Sequence, residues 1–329
     1  MTGFAQGIML PRDIAAADVL RFASRVEELG FDELWVVEDL GFRGGIAQAA
    51  SVLARTDRIR VGIGILPAAV RNVAFEAMEI ATLAQLYPGR VDVGIGHGMP
   101  AWIASVGAWQ ARPLQLLEEH VRALRSLLNG ERVTADGRVE LHDVGLDASA
   151  LPAVVPDILL GVRGPRSLAA SGRIADGTVL AEPSTPEYVR EALGRIASPT
   201  PHRIVAYNVA VVRDTDAEAW AAARPGLEWI GEPDWAPHLA PLAFATDLAR
   251  LRAEAGSRAE FAARLPDEWV AQLSLAGSPA TVIHRLRELH EAGVTSSVMI
   301  PVGPDPFAAV TALAQVLATA AESAHPATA

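Results

Sequence analysis

The chain has 329 residues, half of them hydrophobic, a mean hydropathy of +0.23 and a formal net charge of −11. It has no cysteine and its 28 basic residues are all arginines, which excludes disulfides, thiolate catalysis, cysteine-ligated metals, Schiff-base lysines and a P-loop lysine. The acidic balance argues against nucleic acid or an acidic membrane as a partner. Because no apolar run approaches the ~18–20 residues of a membrane span and residues 1–10 lack a secretory signal, a cytoplasmic protein is predicted.

Strand and helix patterns alternate along the chain. Short β-branched apolar runs predict eight strands, near residues 7, 32, 59, 91, 157, 177, 204 and 297. Helical periodicity predicts helices over residues 13–29, 45–55, 72–87, 114–128, 165–174, 185–196, 279–292 and 305–321. Residues 130–147 are expected to form an irregular excursion or a small hairpin.

Eight β–α units in a chain of this length fit a closed (β/α)8 barrel. An open, doubly wound sheet is the alternative. It is less favoured because such sheets rarely reach eight parallel strands. Residues 214–276 break the alternation and are predicted to be a helical insertion before the last strand. The insertion carries Trp220, Trp229, Trp235 and Trp269. A single domain over residues 1–321 and a frayed tail over residues 322–329 are expected.

Alternating glycines end the third and fourth predicted strands, in residues 58–67 and 90–100. Residues 94–98 read Gly-Ile-Gly-His-Gly, which lacks the spacing and the following helix of a dinucleotide fingerprint. Two interpretations stay open. The glycines either allow close packing inside the barrel, or they let a flat ligand lie against bare backbone with His97 aimed into the barrel mouth.

Two further strand ends carry candidate chemistry. Residues 161–165, Gly-Val-Arg-Gly-Pro, lie between a strand and a helix, where backbone amides could hold an anion with charge from Arg163 and Arg166; an ordinary βα turn is the alternative. Glu38 and Asp39 end the second strand. They are either a solvated turn or cap, or proton-transfer groups whose pKa burial would raise.

These features resemble the luciferase-like flavin and deazaflavin oxidoreductases, and in particular their F420-dependent branch, which includes methylenetetrahydromethanopterin reductase and F420-dependent glucose-6-phosphate dehydrogenase. The resemblance rests on residues 28–35, 90–98, 161–165, 175–177 and 291–294. It implies a barrel that holds F420 or FMN across the carboxyl ends of its strands. It also implies a non-prolyl cis peptide at Gly64–Ile65 behind the ring, ring-edge contacts from His97 and Gly98, and a phosphate site at residues 161–164.

The chain departs from the sugar-phosphate dehydrogenase pattern at three points. The second strand there ends in Asp-His, with the histidine assigned to proton transfer, whereas Glu38-Asp39 stands here. Met99 replaces an acid, and the lysines that help to hold phosphate there have no counterpart in this chain. A sugar phosphate is therefore not expected as the substrate.

The leading hypothesis is an oxidoreductase that transfers a hydride between F420 and a small organic substrate, without a metal. An FMN-dependent monooxygenase is the alternative, and a non-catalytic flavin-binding barrel is the second alternative. The candidate catalytic residues are Glu38, Asp39 and His97, and the candidate cofactor-binding residues are Gly64, Ile65, Leu66, His97, Gly98, Gly161, Val162, Arg163, Gly164, Arg166 and Ala181. The resemblance also implies a homodimer, with candidate contacts in residues 47–53 and 75–83.

Overall fold

The computed structural model describes residues 4–317. Its strands are β1 (Ala5–Met9), β2 (Glu33–Val36), β3 (Arg60–Pro67), β4 (Val91–Gly96), β5 (Val133–Asp136), β6 (Glu140–Val144), β7 (Asp157–Gly161), β8 (Gly177–Leu180), β9 (Arg203–Val212), β10 (Leu275–Gly277) and β11 (Ser296–Pro301). Its α-helices are α1 (Val19–Glu28), α2 (Gly45–Arg55), α3 (Val73–Leu86), α4 (Pro100–Ser105), α5 (Pro113–Leu128), α6 (Pro165–Ile174), α7 (Pro186–Ile196), α8 (Asp216–Ala223), α9 (Ala236–Leu239), α10 (Ala245–Glu254), α11 (Arg258–Ala263), α12 (Asp267–Leu273), α13 (Pro279–Glu291) and α14 (Pro306–Leu313). Eight of these strands alternate with helices, which is the (β/α)8 pattern.

The described residues cluster into two compact units. One comprises residues 4–33, 180–195 and 204–317 and holds four parallel strands in the order β10-β9-β11-β1. Ser296 of β11 aligns with both Ala5 and Val205. Its hydroxyl donates a 2.6 Å hydrogen bond to the buried carboxylate of Glu33, so this polar pair is satisfied inside the core.

The other unit comprises residues 34–179 and 196–203. Its parallel strands follow the order β2-β3-β4-β7-β8. At the amino-terminal end of β4, the buried carboxylate of Asp92 accepts hydrogen bonds from Arg60 and Arg203. These two guanidinium groups offset the free-energy cost of removing the Asp92 carboxylate from water. Every candidate site residue except Ala181 lies in this unit.

The structure corrects the predicted elements in several places. Leu275–Gly277, which the sequence placed at the end of the insertion, forms a strand parallel to β9; three residues are too few for a periodic pattern to show. Helix α4 after the fourth strand was not predicted, and the first α-helix begins at Val19 rather than at residue 13. Residues 133–144 form the antiparallel hairpin that was one of two expectations. The expected tail, residues 322–329, lies outside the described residues.

The helical prediction for the insertion is confirmed, because α8 to α12 occupy it. Its tryptophans pack mostly within the segment. Trp269 stacks on Phe244 with ring centroids 4.8 Å apart, and Trp229 lies 6.3 Å from Trp235. The Trp220 indole donates a hydrogen bond to the carbonyl of Ala276. Within residues 4–317, no helix is both long and apolar enough to span a bilayer.

Candidate active site

The peptide bond between Gly64 and Ile65 is cis, as the resemblance implies. The Ile65 side chain lies against three glycines of the neighbouring strands. A Cβ added at Gly94, Gly96 or Gly161 would come within 2.9, 2.6 and 2.4 Å of Ile65 side-chain atoms, respectively. Ordinary van der Waals contact needs 3.4 Å or more, so a side chain at any of these positions would displace Ile65. Close packing of Ile65, together with the backbone carbonyls of Ile63 beside Gly94 and of Gly161 beside Gly96, therefore accounts for these three glycines.

Glu38 is held by two elements of its own unit. One carboxylate oxygen accepts a 2.5 Å hydrogen bond from Arg71, and the other accepts hydrogen bonds of 2.7 Å from Arg71 and from the amide of Gly45. Bidentate contact with a guanidinium is among the strongest side-chain pairings, and Gly45 is the first residue of α2. The carboxylate therefore ties the tip of β2 to α2 and to the segment between β3 and α3.

The same pairing with Glu38 raises the pKa of Arg71. Burial acts to lower this pKa, but the hydrogen bonds to Glu38 and the negative charge of Glu38, with smaller contributions from Glu76 and Glu79, raise it overall. The guanidinium is thus a permanent cation. Asp39, the next residue, is half-buried, and its carbonyl accepts a hydrogen bond from the amide of Phe42.

His97 lies beyond the end of β4 and is also positioned by helices. Its Nε2 is 3.1 Å from the hydroxyl of Ser167 in the first turn of α6. Burial lowers the pKa of His97, and a hydrogen bond to the backbone of Pro113 opposes that shift only in part. Burial therefore favours the neutral form of the imidazole. This geometry places His97 between the starts of α5 and α6.

Gly164 is the N-cap of α6, followed by Pro165 at the first helical position. No side chain caps this helix, and its first turn contains no acidic residue. A Cβ built on Gly164 meets nothing within 4 Å. The space beside the Cα of Gly164 is thus open, and the α6 amides at this end have no side-chain cap; such helix donors and the helix dipole favour an anion.

A cavity of about 760 Å³ lies beside this helix start. Its volume is in the range of small-molecule sites. The residues that line it follow the carboxyl end of β4 or belong to α5 and α6 and their N-caps: His97, Arg112, Pro113, Leu114, Gln115, Glu118, Arg166, Ser167, Ala169 and Arg173. The structure therefore brings His97 and Arg166 together, two residues that the sequence analysis had placed separately.

The model of the family described as luciferase-like monooxygenase matches residues 1–296. The chain belongs to this family. A similar relative is the 5,10-methylenetetrahydromethanopterin reductase of Methanolobus tindarius, which is 28% identical over 300 residues, covering 87% of this chain and 91% of the relative. The F420-dependent glucose-6-phosphate dehydrogenase of Nakamurella multipartita is 31% identical over 189 residues, covering 54% of this chain and 56% of that protein.

Solved structures of other proteins share the fold of this luciferase-like protein. The F420-dependent tetrahydromethanopterin reductase from Methanopyrus kandleri has a TM-score of 0.82 with 21% identity, over 97% of this chain and 99% of that one. An F420-dependent secondary alcohol dehydrogenase in complex with an F420–acetone adduct has a TM-score of 0.76 with 19% identity, over 96% and 98%. The predicted (β/α)8 barrel and the predicted family are both confirmed.

The remaining candidate residues of the luciferase-like chain differ in burial and in the role of their backbone. Leu66 and Val162 are buried, and Arg163 is half-buried. At Gly98, φ is +69° and a Cβ would meet Ile103 and Pro67, so that glycine is required by the backbone. Ala181 directly follows β8, and its carbonyl accepts a hydrogen bond from Ser184.

The sequence analysis missed four residues that the site uses: Arg71, Arg112, Pro113 and Ser167. Arg71 lies 33 positions from Glu38 and Ser167 lies 70 positions from His97, so no local pattern connects them. Arg112-Pro113 did carry a signal. Proline at the first helical position marks the start of α5, as Pro165 marks the start of α6.

Proposed function

We propose that this chain is an oxidoreductase that transfers a hydride between F420 and a small organic substrate. The observation that carries the proposal is the similarity to a methylenetetrahydromethanopterin reductase over 87% of the chain and to an F420-dependent glucose-6-phosphate dehydrogenase over 54% of it. The open start of α6 at Gly164 supports it, because the phosphate of a deazaflavin requires such a set of donors. The residues present therefore fit the cofactor.

Each part of the candidate site then has a defined role. The amides of residues 161–164 and of the first turn of α6 would hold the phosphate, and Gly64–Ile65 would support one face of the ring, with Gly98 beside it. When bound, F420 supplies a ring carbon that accepts or donates the hydride. His97, joined to Ser167, would orient the phosphate end of the cofactor.

We assign proton transfer to Asp39 and positioning to Glu38. Both oxygens of Glu38 already accept hydrogen bonds from Arg71, so this carboxylate is committed to holding the tip of β2. Asp39 stands where the resemblance places the proton-transferring histidine of the sugar-phosphate dehydrogenase. A half-buried carboxyl at a strand tip can hold or move a proton at one of its oxygens.

Parallel titration of the purified protein with F420 and FMN tests the cofactor. F420 is expected to bind at least tenfold more tightly than FMN, followed by fluorescence and absorbance. Turnover with F420 is then measured on a panel that represents the relatives: methylenetetrahydromethanopterin, 2-propanol with acetone, and glucose 6-phosphate. We expect hydride transfer with a member other than glucose 6-phosphate, because the chain has no lysine.

Other outcomes identify the alternatives. Tighter binding of FMN, with consumption of dioxygen after reduction, would indicate the monooxygenase that the family description names. Tight cofactor binding without hydride transfer to a broad range of small organic substrates would indicate a non-catalytic flavin-binding barrel. Failure to bind either cofactor would contradict the proposed function.

We also propose that the protein is a homodimer through α3. In this helix Val73, Ala77 and Ile80 are buried, whereas Phe75, Met78 and Leu86 are 68, 51 and 65% exposed. Large apolar side chains grouped on the exposed side of a helix are typical of a protein–protein contact. Of the other candidate contact, residues 47–53, Val52 and Leu53 are buried within the chain itself, so α3 is the stronger surface.

Light scattering at micromolar concentration is expected to give the mass of a dimer. Phe75→Glu combined with Met78→Glu should shift the protein to a monomer, because the variant places two charges in an apolar contact. Val154→Glu, at an exposed apolar residue outside α3, is the matched control and should remain dimeric. A monomeric wild-type protein would contradict this proposal.

A further inference from the structure

A second cavity, of about 440 Å³, lies beside the β5–β6 hairpin, and among the described residues it shares no lining residue with the cavity beside His97. We call it the hairpin cavity. It is lined by five residues of the segment 68–73, by Gln110 with Leu116 and His120 of α5, and by four residues of the hairpin. Its volume suffices for a small metabolite, and all of these residues belong to one compact unit.

Hydrogen bonds between the surrounding elements fix the walls of the hairpin cavity. Glu119 of α5 accepts hydrogen bonds from the amides of Arg138 and Val139, which hold the hairpin against this helix. His120 is only 1% exposed, and its Nε2 lies 2.9 Å from a carboxylate oxygen of the buried Glu76 in α3. The cavity is therefore bounded by a hairpin and two helices that are joined to one another.

Positive charge predominates among the side chains that line this cavity. Its ionisable residues are two arginines, two histidines and one glutamate: Arg71, Arg138, His120, His142 and Glu140. Glu140 already lies 3.2 Å from Nε2 of His142. Within residues 4–317, Arg138 forms no ion pair within 4.0 Å, and its charge acts on Glu119 only at longer range. In a protein of net charge −11, such a lining favours a ligand with carboxylate or phosphate groups.

Arg71 connects the hairpin cavity with the tip of β2. It lines the cavity, and its guanidinium also binds both carboxylate oxygens of Glu38. A guanidinium has five N–H donors, and Glu38 takes two of them, so donors remain for a second anion. Two anions that share one cation repel each other. A ligand at this cavity and the Glu38 carboxylate would therefore compete for Arg71.

We propose that the hairpin cavity is a second ligand site, which binds a small organic molecule with carboxylate or phosphate groups through Arg71 and Arg138. The site uses none of the residues assigned to the cofactor phosphate or ring, so the inference goes beyond the proposed function and does not depend on it. Because Arg71 is shared, the negative charge of Glu38 limits the affinity of the site for its ligand.

The test uses citrate and inorganic phosphate as probes, since they represent the two kinds of anionic group. Isothermal titration calorimetry without cofactor gives the dissociation constants at about 50 and 300 mM NaCl for the wild-type protein, Arg138→Gln and Glu38→Gln. Arg166→Gln is the matched control, because it removes the same charge from the cavity beside His97, where an anion could also bind. Circular dichroism at the titration temperature verifies that each variant is folded.

Arg138→Gln is expected to weaken binding of the tighter probe by about three- to tenfold, within the range for exposed charge-assisted contacts. Glu38→Gln should strengthen it by about threefold or more, because it removes a competing negative charge from Arg71. Binding in Arg166→Gln should stay within about twofold of the wild-type value, and the higher salt concentration should weaken binding. Tighter binding of citrate indicates a carboxylate ligand, and tighter binding of phosphate indicates a phosphorylated one.

Three results would overturn the inference. If neither probe binds the wild-type protein at millimolar concentration, the cavity is not an anion site. Unchanged binding in Arg138→Gln, or equal weakening in Arg138→Gln and Arg166→Gln, would show that the anion is not held at the hairpin. Unchanged or weaker binding in Glu38→Gln would exclude competition for Arg71. Because these titrations contain no F420, the proposed function stands or fails separately.

Discussion

Asp39→Asn is expected to slow turnover by about 10²–10⁴-fold, the range for a lost general acid or base. The amide keeps the size and most hydrogen-bonding capacity of the carboxyl but cannot exchange a proton. F420 affinity should stay within about twofold, because the proposed phosphate and ring contacts lie on other strands. The measurements are kcat at saturating F420, with the fastest substrate of the panel, and the F420 dissociation constant by fluorescence.

Glu38→Gln is the comparison that separates the two neighbouring acids. It removes the charge that Arg71 binds at both oxygens, so stability should fall, by about 2–4 kcal/mol for a mostly buried pair that loses one partner. Its kcat should fall far less than that of Asp39→Asn. Full activity of Asp39→Asn would contradict the assignment.

Gly164→Asp should abolish cofactor binding in the accessible concentration range, a loss of about 10²–10³-fold. A carboxylate at this N-cap would lie next to the proposed phosphate position. Two unit charges about 4 Å apart repel by about 4 kcal/mol at the effective dielectric constant near a protein surface. The carboxylate would also accept hydrogen bonds from the same α6 amides that the phosphate needs.

The folded state should tolerate this change. Gly164 has φ −80° and ψ 152°, which any residue adopts, and a Cβ there meets nothing within 4 Å. Aspartate is a favoured N-cap residue, so the melting temperature should stay the same or rise slightly. Gly164→Asn is the matched control of the same shape without charge, and it should weaken binding less. If Gly164→Asp binds F420 as the wild-type protein does, the phosphate site lies elsewhere.

The role of the glycines illustrates where sequence reasoning reached its limit. Gly94 and Gly96 suggested either close packing or an approaching ligand, and both interpretations require a missing side chain. In the folded protein the Ile65 side chain fills the space beside them. Gly164 presented the same ambiguity and has the opposite outcome, because the space at its Cα is open. Composition cannot distinguish these cases, since each depends on what another strand or loop places opposite the glycine.

The sequence by itself determined the alternation of strands and helices, the helical insertion, the family and the position of the cis peptide at Gly64–Ile65. The alternation and the insertion follow from hydrophobic periodicity and from helix-start residues such as Pro165. The family and the position of the cis peptide follow from the resemblance, which a set of motifs in order along the chain carries. Tertiary structure alone decided that Arg71 holds Glu38, that Ser167 holds His97, and that α5 and α6 begin at one cavity. The physical reason is range: local propensities act over a few residues, whereas charge pairing and cavity shape depend on side chains that only the packed strands and helices bring together.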